Sequence, residues 1–221
     1  MTHPRHINRN RSAFTLIELL VVISIIAVIA GLVVAAAGRA GRAKERNQTV
    51  AMLKKIELGL EGFKTTYGAY PATDNTSPNA SAMFNPLFYE LTGTTYEPDP
   101  ANPHSATANR YRSLLSPAHL ISVRQVTNAF GQKLVGFANS SGSNAFLTLK
   151  VDDYQQMGAN DVILLVAPAS PTNRAGTNKY NFWHYQAYNP AGRNPTGYDL
   201  WANLKGKKAG ELEVIANWNT K

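Results

Sequence analysis

Between Phe14 and Ala37 almost every side chain is apolar, and only one, Glu18, can ionise. A helix over this run, at about 1.5 Å of rise per residue, reaches beyond the ~30 Å hydrocarbon core of a bilayer. A surface helix of a soluble domain keeps a polar face, and this run has none. The pattern predicts a membrane-spanning helix over 14–38.

From Arg39 the pattern becomes amphipathic. Val50, Leu53, Ile56, Leu60, Phe63 and Tyr67 fall on one helical face, the signature of a stripe packed on a core. Lys54, Glu57, Glu61 and Lys64 mostly lie off that stripe, with Glu61 and Lys64 spaced as an i,i+3 pair. No turn signal separates the two segments, so one helix is expected to run through both. Gly31, Gly38 and Gly41 are its weak points, each ~1 kcal/mol poorer than alanine. Gly68 is placed as a C-cap, and Pro71 prevents the helix from resuming.

Residues 72–109 have a loop composition, interrupted where "SAMFNPLFYELTG" predicts a short helix closed by Gly93. "YRSLLSPAHLISVRQ" predicts a second short helix. Strand patterns follow: "KLVGFA" (133–138), "FLTLK" (146–150), "DVILLVA" (161–167), "FWHYQAY" (182–188), "GYDLWANL" (197–204) and "ELEVIANW" (211–218). The expected fold class is α+β, a long N-terminal helix whose second half packs on a small antiparallel sheet.

The chain has 221 residues, enough for one anchor and one domain of the usual ~100–200 residues. Its formal charge of +8 is not gathered on one face, as a nucleic-acid interface would require, so no nucleic-acid partner is expected. The basic residues that do cluster flank the apolar run: Arg5, Arg9 and Arg11 before it, and Arg39, Arg42, Lys44 and Arg46 after it. Bases in such places anchor a helix at lipid headgroups, which makes membrane lipid an expected partner. Because they lie on both sides, they give no vote on orientation. With no cysteine, the domain must be held by its core, its sheet or a metal rather than by disulfides.

A cleaved secretory signal is a rival reading, with small residues at Ala35–Ala37 as a cut site. The apolar run is longer than the usual ~7–15-residue core of such signals, and a signal has no use for Glu18.

"RSAFTLIELLVVISIIAVIAGL" resembles the leader and N-terminal helix of type IV prepilins and type II secretion pseudopilins. In that family a basic leader ends in a small residue, usually glycine; a phenylalanine then opens the mature chain and a glutamate stands at its fifth position. Those positions are Ala13, Phe14 and Glu18 here, with alanine replacing glycine. The resemblance implies a leader at 1–13, cleavage after Ala13 by a prepilin peptidase, methylation of the Phe14 amine, and a role for Glu18 in assembly. The implied partners are other pilin-like subunits and an inner-membrane assembly platform, with residues 39–67 continuing the helix and 68–221 forming a periplasmic head.

"YGAYP" and "GYDLWANL…GELEVIANW" are similar to the major pseudopilins, which bind calcium in an acidic loop before the final segment. Here that stretch is "KGKKAGELEV", with Lys205, Lys207 and Lys208. Calcium wants several carboxylate and carbonyl oxygens around one point, so the site is not carried over and no cofactor or metal is expected.

No catalytic constellation is present. His3, His6, His104, His119 and His184 lack metal-ligand spacing, and there is no G-x-S-x-G, P-loop or G-x-G-x-x-G. Asp152 and Asp153 adjoin, as solvated or capping carboxylates do. The aromatic stretch 181–189 reads as a strand with one core face; its other face could stack on carbohydrate. The sequence thus leads to a filament subunit and not an enzyme. Two alternatives stand beside it, a single-pass anchored binding domain that does not polymerise and a secreted protein released near Ala35–Ala37.

Overall fold

A computed structural model describes residues 15–75, 82–142, 145–158, 161–169, 180–206, 208 and 210–219, with the backbone alone for 35–39. The leader, Ala13 and Phe14 lie outside these residues, as does Lys207. The chain divides into two units, Met1–Lys44 and Glu45–Lys221. Helix α1, Leu16–Tyr67, starts in the first and ends in the second. Gly31, Gly38 and Gly41 do not interrupt it, and it stops where expected: Gly68 takes a φ of 79° and its amide donates to Lys64 O at 2.8 Å.

The second unit is α+β, built on the predicted stripe. Leu53, Ile56, Leu60 and Phe63 are buried, while Val50 and Tyr67 pack partly covered at its ends. Gly59 and Gly62 extend the stripe by letting the segment at Phe146 approach the helix. A Cβ at Gly59 would stand 3.1 Å from Phe146 O, and one at Gly62 would stand 3.2 Å from the Phe146 ring.

Three small antiparallel sheets stand where one was expected. The first is β1 (Thr94–Glu97), β2 (Arg110–Ser113) and β3 (Leu120–Ser122). The second is β4 (Tyr154–Met157) with β5 (Val162–Leu165). The third, β6 (His184–Ala187), β7 (Tyr198–Lys205) and β8 (Leu212–Ala216), follows the predicted strands closely.

Helix α2, Leu87–Thr92, closes at Gly93 as predicted, and all six of its residues are buried. The helix expected over 111–125 is not formed. Arg110–Ser113 and Leu120–Ser122 are strands, and helix α3 starts only at Val123, running to Phe130. Its start is set by a capping box: Ser122 Oγ accepts from Gln125 N, and the Gln125 side chain accepts from Ser122 N.

The strands expected at 133–138 and 146–150 are also absent. Leu147 and Leu149 are buried as alternation along 146–150 suggested, and Leu134 and Phe137 are buried with Val135 between them exposed, but the amides of both segments pair elsewhere. Phe146 N and Leu147 N both donate to Leu91 O, at 2.8 and 3.0 Å. Ala138 N and Asn139 N donate to the two carboxylate oxygens of Glu90 on α2, each at 2.9 Å. Strands β1 and β4 were missed, one inside a loop-like composition and the other formed by "YQQM".

Because the second unit holds its own core, a fragment beginning at Arg42 should fold and stay monomeric. A cooperative thermal transition and a monomer mass by light scattering check this; a fragment that polymerises unaided would contradict it.

Burial pushes the Glu90 carboxyl from 4.5 up to about 7, against its two amide donors, which favour the charged form. The folded chain therefore holds this proton more tightly than the unfolded chain. Its contribution to stability is complete below about 4.5 and is lost as pH rises through about 7, a difference of about 3 kcal/mol. In urea titrations from pH 4.5 to 8, this fall should appear in the parent and vanish in Glu90→Gln.

Candidate assembly site at the helix N-terminus

Among the described residues of the first unit, nothing packs on the helix from Leu16 to Val34. From Leu16 to Val34 it is long and apolar enough to cross a membrane, and none of it is buried. Every large apolar side chain in this stretch is between 45% (Val22) and 82% (Leu16) exposed. Burying such side chains is favourable by ~1.5–3 kcal/mol each, so this surface demands an apolar surrounding. Its interior polar side chain is satisfied within the helix: Ser24 Oγ donates to Leu20 O at 2.8 Å.

Glu18 sits in the first turn, held by Thr15. The Thr15 amide and hydroxyl both donate to Glu18 Oε2 at 2.8 Å, and Thr15 Oγ1 accepts from Glu18 N at 3.3 Å. This is a reciprocal cap, in which residue i and residue i+3 each satisfy an amide that the helix cannot. The carboxylate is also well placed against the positive end of the helix dipole. Thr15 was not singled out from the sequence, although "TLIE" carries the T-x-x-E spacing that announces such a cap. Two donors satisfy the carboxylate without cancelling its charge, so Glu18 remains a negative group on an apolar helix.

The other sequence-predicted features lie in the second unit. In "NFWHYQAYN", Phe182, Trp183, Tyr185 and Ala187 are buried, so most of the aromatic surface belongs to the core. His184 faces outward and stacks on Trp201, with centroids 5.0 Å apart and planes at 10°; Trp218 lies 5.7 Å beyond. Among the described residues no three His, Cys, Asp or Glu side chains gather as a metal site. Asp199 is occupied by Arg193 N, Asn194 N and Asn194 Nδ2, at 2.6 to 2.9 Å. In the described part of the lysine-rich stretch, between β7 and β8, Gly206 N donates to Glu211 O and Lys208 N to the Glu211 carboxylate.

The chain carries the prokaryotic N-terminal methylation motif, matched over residues 8–34. That match covers the apolar helix and its approach, and it ends where the membrane-length segment ends. No curated protein and no solved structure matches the chain. The match supports a pilin-like precursor for the N-terminal segment and does not extend to the second unit.

The cap itself is testable. Thr15→Val removes the hydroxyl from both of its bonds and should cost ~1 kcal/mol of first-turn stability. In detergent micelles, first-turn amide exchange should accelerate about fivefold, while Thr15→Ser should exchange like the parent.

Proposed function

We propose that the protein is a structural subunit of a pilus-like filament, of the type II secretion pseudopilus or type IV pilus kind, and has no enzymatic activity. The observation that carries this reading is the methylation motif at 8–34 on a helix whose apolar surface from Leu16 to Val34 is exposed among the described residues. A prepilin peptidase cuts after Ala13, removing the leader 1–13, and the new amine of Phe14 is methylated. Residues 14–38 then hold the subunit in the inner membrane, 39–67 continue the helix, and 68–221 form a periplasmic head. Subunits leave the bilayer through an assembly platform and stack with their N-terminal helices at the centre.

Glu18 decides how they stack. At the end of a spanning helix a carboxylate is tolerable, because headgroups and water are within reach; at the centre it would cost ~2.5–3.5 kcal/mol. Packed among other subunits without water, it needs a cation, since an unpaired buried charge is far more costly than a paired one. Cleavage creates that cation in the α-amine of a neighbour's Phe14. The two meet only if the neighbour is displaced along the axis by about one helical turn, ~5.4 Å, so the pair sets register as well as neutralising charge.

A second reading, an anchored domain that binds a ligand and never polymerises, is favoured by one observation, the outward aromatic group of His184, Trp201 and Trp218. In that reading Glu18 is a cap and nothing more.

One experiment separates them. Mass spectrometry of the membrane-extracted parent should find singly methylated Phe14 at the N-terminus. Glu18→Leu should still be inserted and cut after Ala13, yet fail to enter filaments, with incorporation down by tenfold or more in sheared fractions. A start near Gly38 would mean a secreted protein, normal assembly of Glu18→Leu would reduce Glu18 to a cap, and a correctly cut parent absent from every filament fraction would favour the anchored domain.

A further inference from the structure

A cleft of about 430 Å³ opens in the second unit where the end of α1 and the loop after it meet the 133–138 segment. That size falls within the ~300–1,000 Å³ usual for small-molecule sites. Its walls include Phe63, Tyr67, Tyr70 and Tyr111, and Glu90 lies among its lining residues. The Glu90 side chain is 3% exposed, and no lysine, arginine or histidine among the described residues forms an ion pair with it. Two amides share its charge, but nothing there cancels it. A buried carboxylate in that situation favours either a proton or a cation.

We propose that this cleft binds a small organic ammonium ion, with Glu90 as the counter-ion and the tyrosine rings as walls. Two observations choose this ligand over a metal. Glu90 is a single carboxylate, whereas hard divalent ions take six or more oxygens. The walls are aromatic, and ring faces attract ammonium groups. Tyr70 already shows this within the chain, with Lys64 Nζ 4.6 Å from its ring centre. The charged and titratable groups around the cleft, among the described residues, are Tyr67, Tyr70 and Tyr111 in its walls, Tyr185 on β6, the exposed Glu61 that accepts from the Tyr70 hydroxyl, and the exposed Lys133 on the rim; burial pushes Tyr70, Tyr111 and Tyr185 further from ionising. Lys133 opposes a cation weakly, because its ammonium stays in water.

Gly136 shapes this wall. A Cβ there would stand 2.1 Å from the Tyr111 hydroxyl, so the segment can lie against Tyr111 only with glycine at this place.

An ammonium ion binds the ionised carboxylate, so it competes with the proton that burial favours. The full chain in detergent micelles, titrated calorimetrically with benzylammonium chloride, should bind about thirtyfold more tightly at pH 8 than at pH 5.5, given a carboxyl that titrates near 7. Benzyl alcohol, the neutral analogue, should show no saturable binding. Glu90→Gln should abolish the response to benzylammonium. Ala72→Trp, at an exposed lining position where folding is not at risk, should fill the cleft and abolish it too. Absence of saturable binding to the parent at millimolar benzylammonium, equal binding of benzyl alcohol, affinity independent of pH, or full binding by Ala72→Trp would each overturn the assignment.

Discussion

The bond pair from Ala138 N and Asn139 N to the Glu90 carboxylate is the interaction on which the head depends. It fixes a segment that belongs to no strand, and that segment then organises its neighbours. Asn139 O accepts from both the amide and the hydroxyl of Thr94, which starts β1. Asn139 Oδ1 accepts from the Tyr67 hydroxyl at the end of α1, and Asn139 Nδ2 returns to Glu90 O. The preceding residue on α2 does similar work toward other elements. Tyr89 Oη accepts from Ile163 N on β5 and shares a second hydrogen bond, 2.8 Å long, with His119 Nε2. Burial lowers the His119 pKa. A six-residue helix thus ties together parts of the fold that make no common sheet.

That arrangement explains what the sequence could and could not disclose. The long helix was legible because its signals are local: an unbroken apolar run, then a stripe at helical spacing, then Gly68. The last three strands were legible because alternation and pairing coincide there. At 146–150 the same alternation reported burial alone, and at 133–138 the buried pair Leu134 and Phe137 does not alternate at all. The amides of those segments go to Glu90 and to Leu91 O, partners about fifty residues away that no local pattern encodes. The opposite failure occurred at 111–125, where helix-like apolar spacing hid two short strands, although "SVRQ" marked the true start of α3. The Thr15 cap is hidden for a different reason: its T-x-x-E spacing lies at the start of an apolar run, where hydropathy does not register a hydroxyl.

Glu18 and Glu90 pose one physical problem with two solutions. Each carboxylate receives backbone amide donation, and in each case hydrogen bonding leaves the charge uncancelled. Glu90 lies in the core, where burial raises its affinity for a proton until the two forms balance near neutrality. A proton can neutralise a group wherever it sits and therefore carries no positional information.

Pairing with a cation differs in that respect, because it stabilises only the arrangement in which the two charges meet. This distinction bears on the proposed filament. An apolar helix surface such as Leu16–Val34 packs almost equally well at many axial offsets, since dispersion and burial are non-directional. Such helices would associate strongly and without register. In the proposed filament, one fixed carboxylate per helix, held in the first turn by Thr15, would convert that indifferent surface into one with a preferred offset. The cap matters there because a carboxylate free to rotate could meet an amine at several offsets, whereas one bonded to Thr15 presents its charge from a defined place.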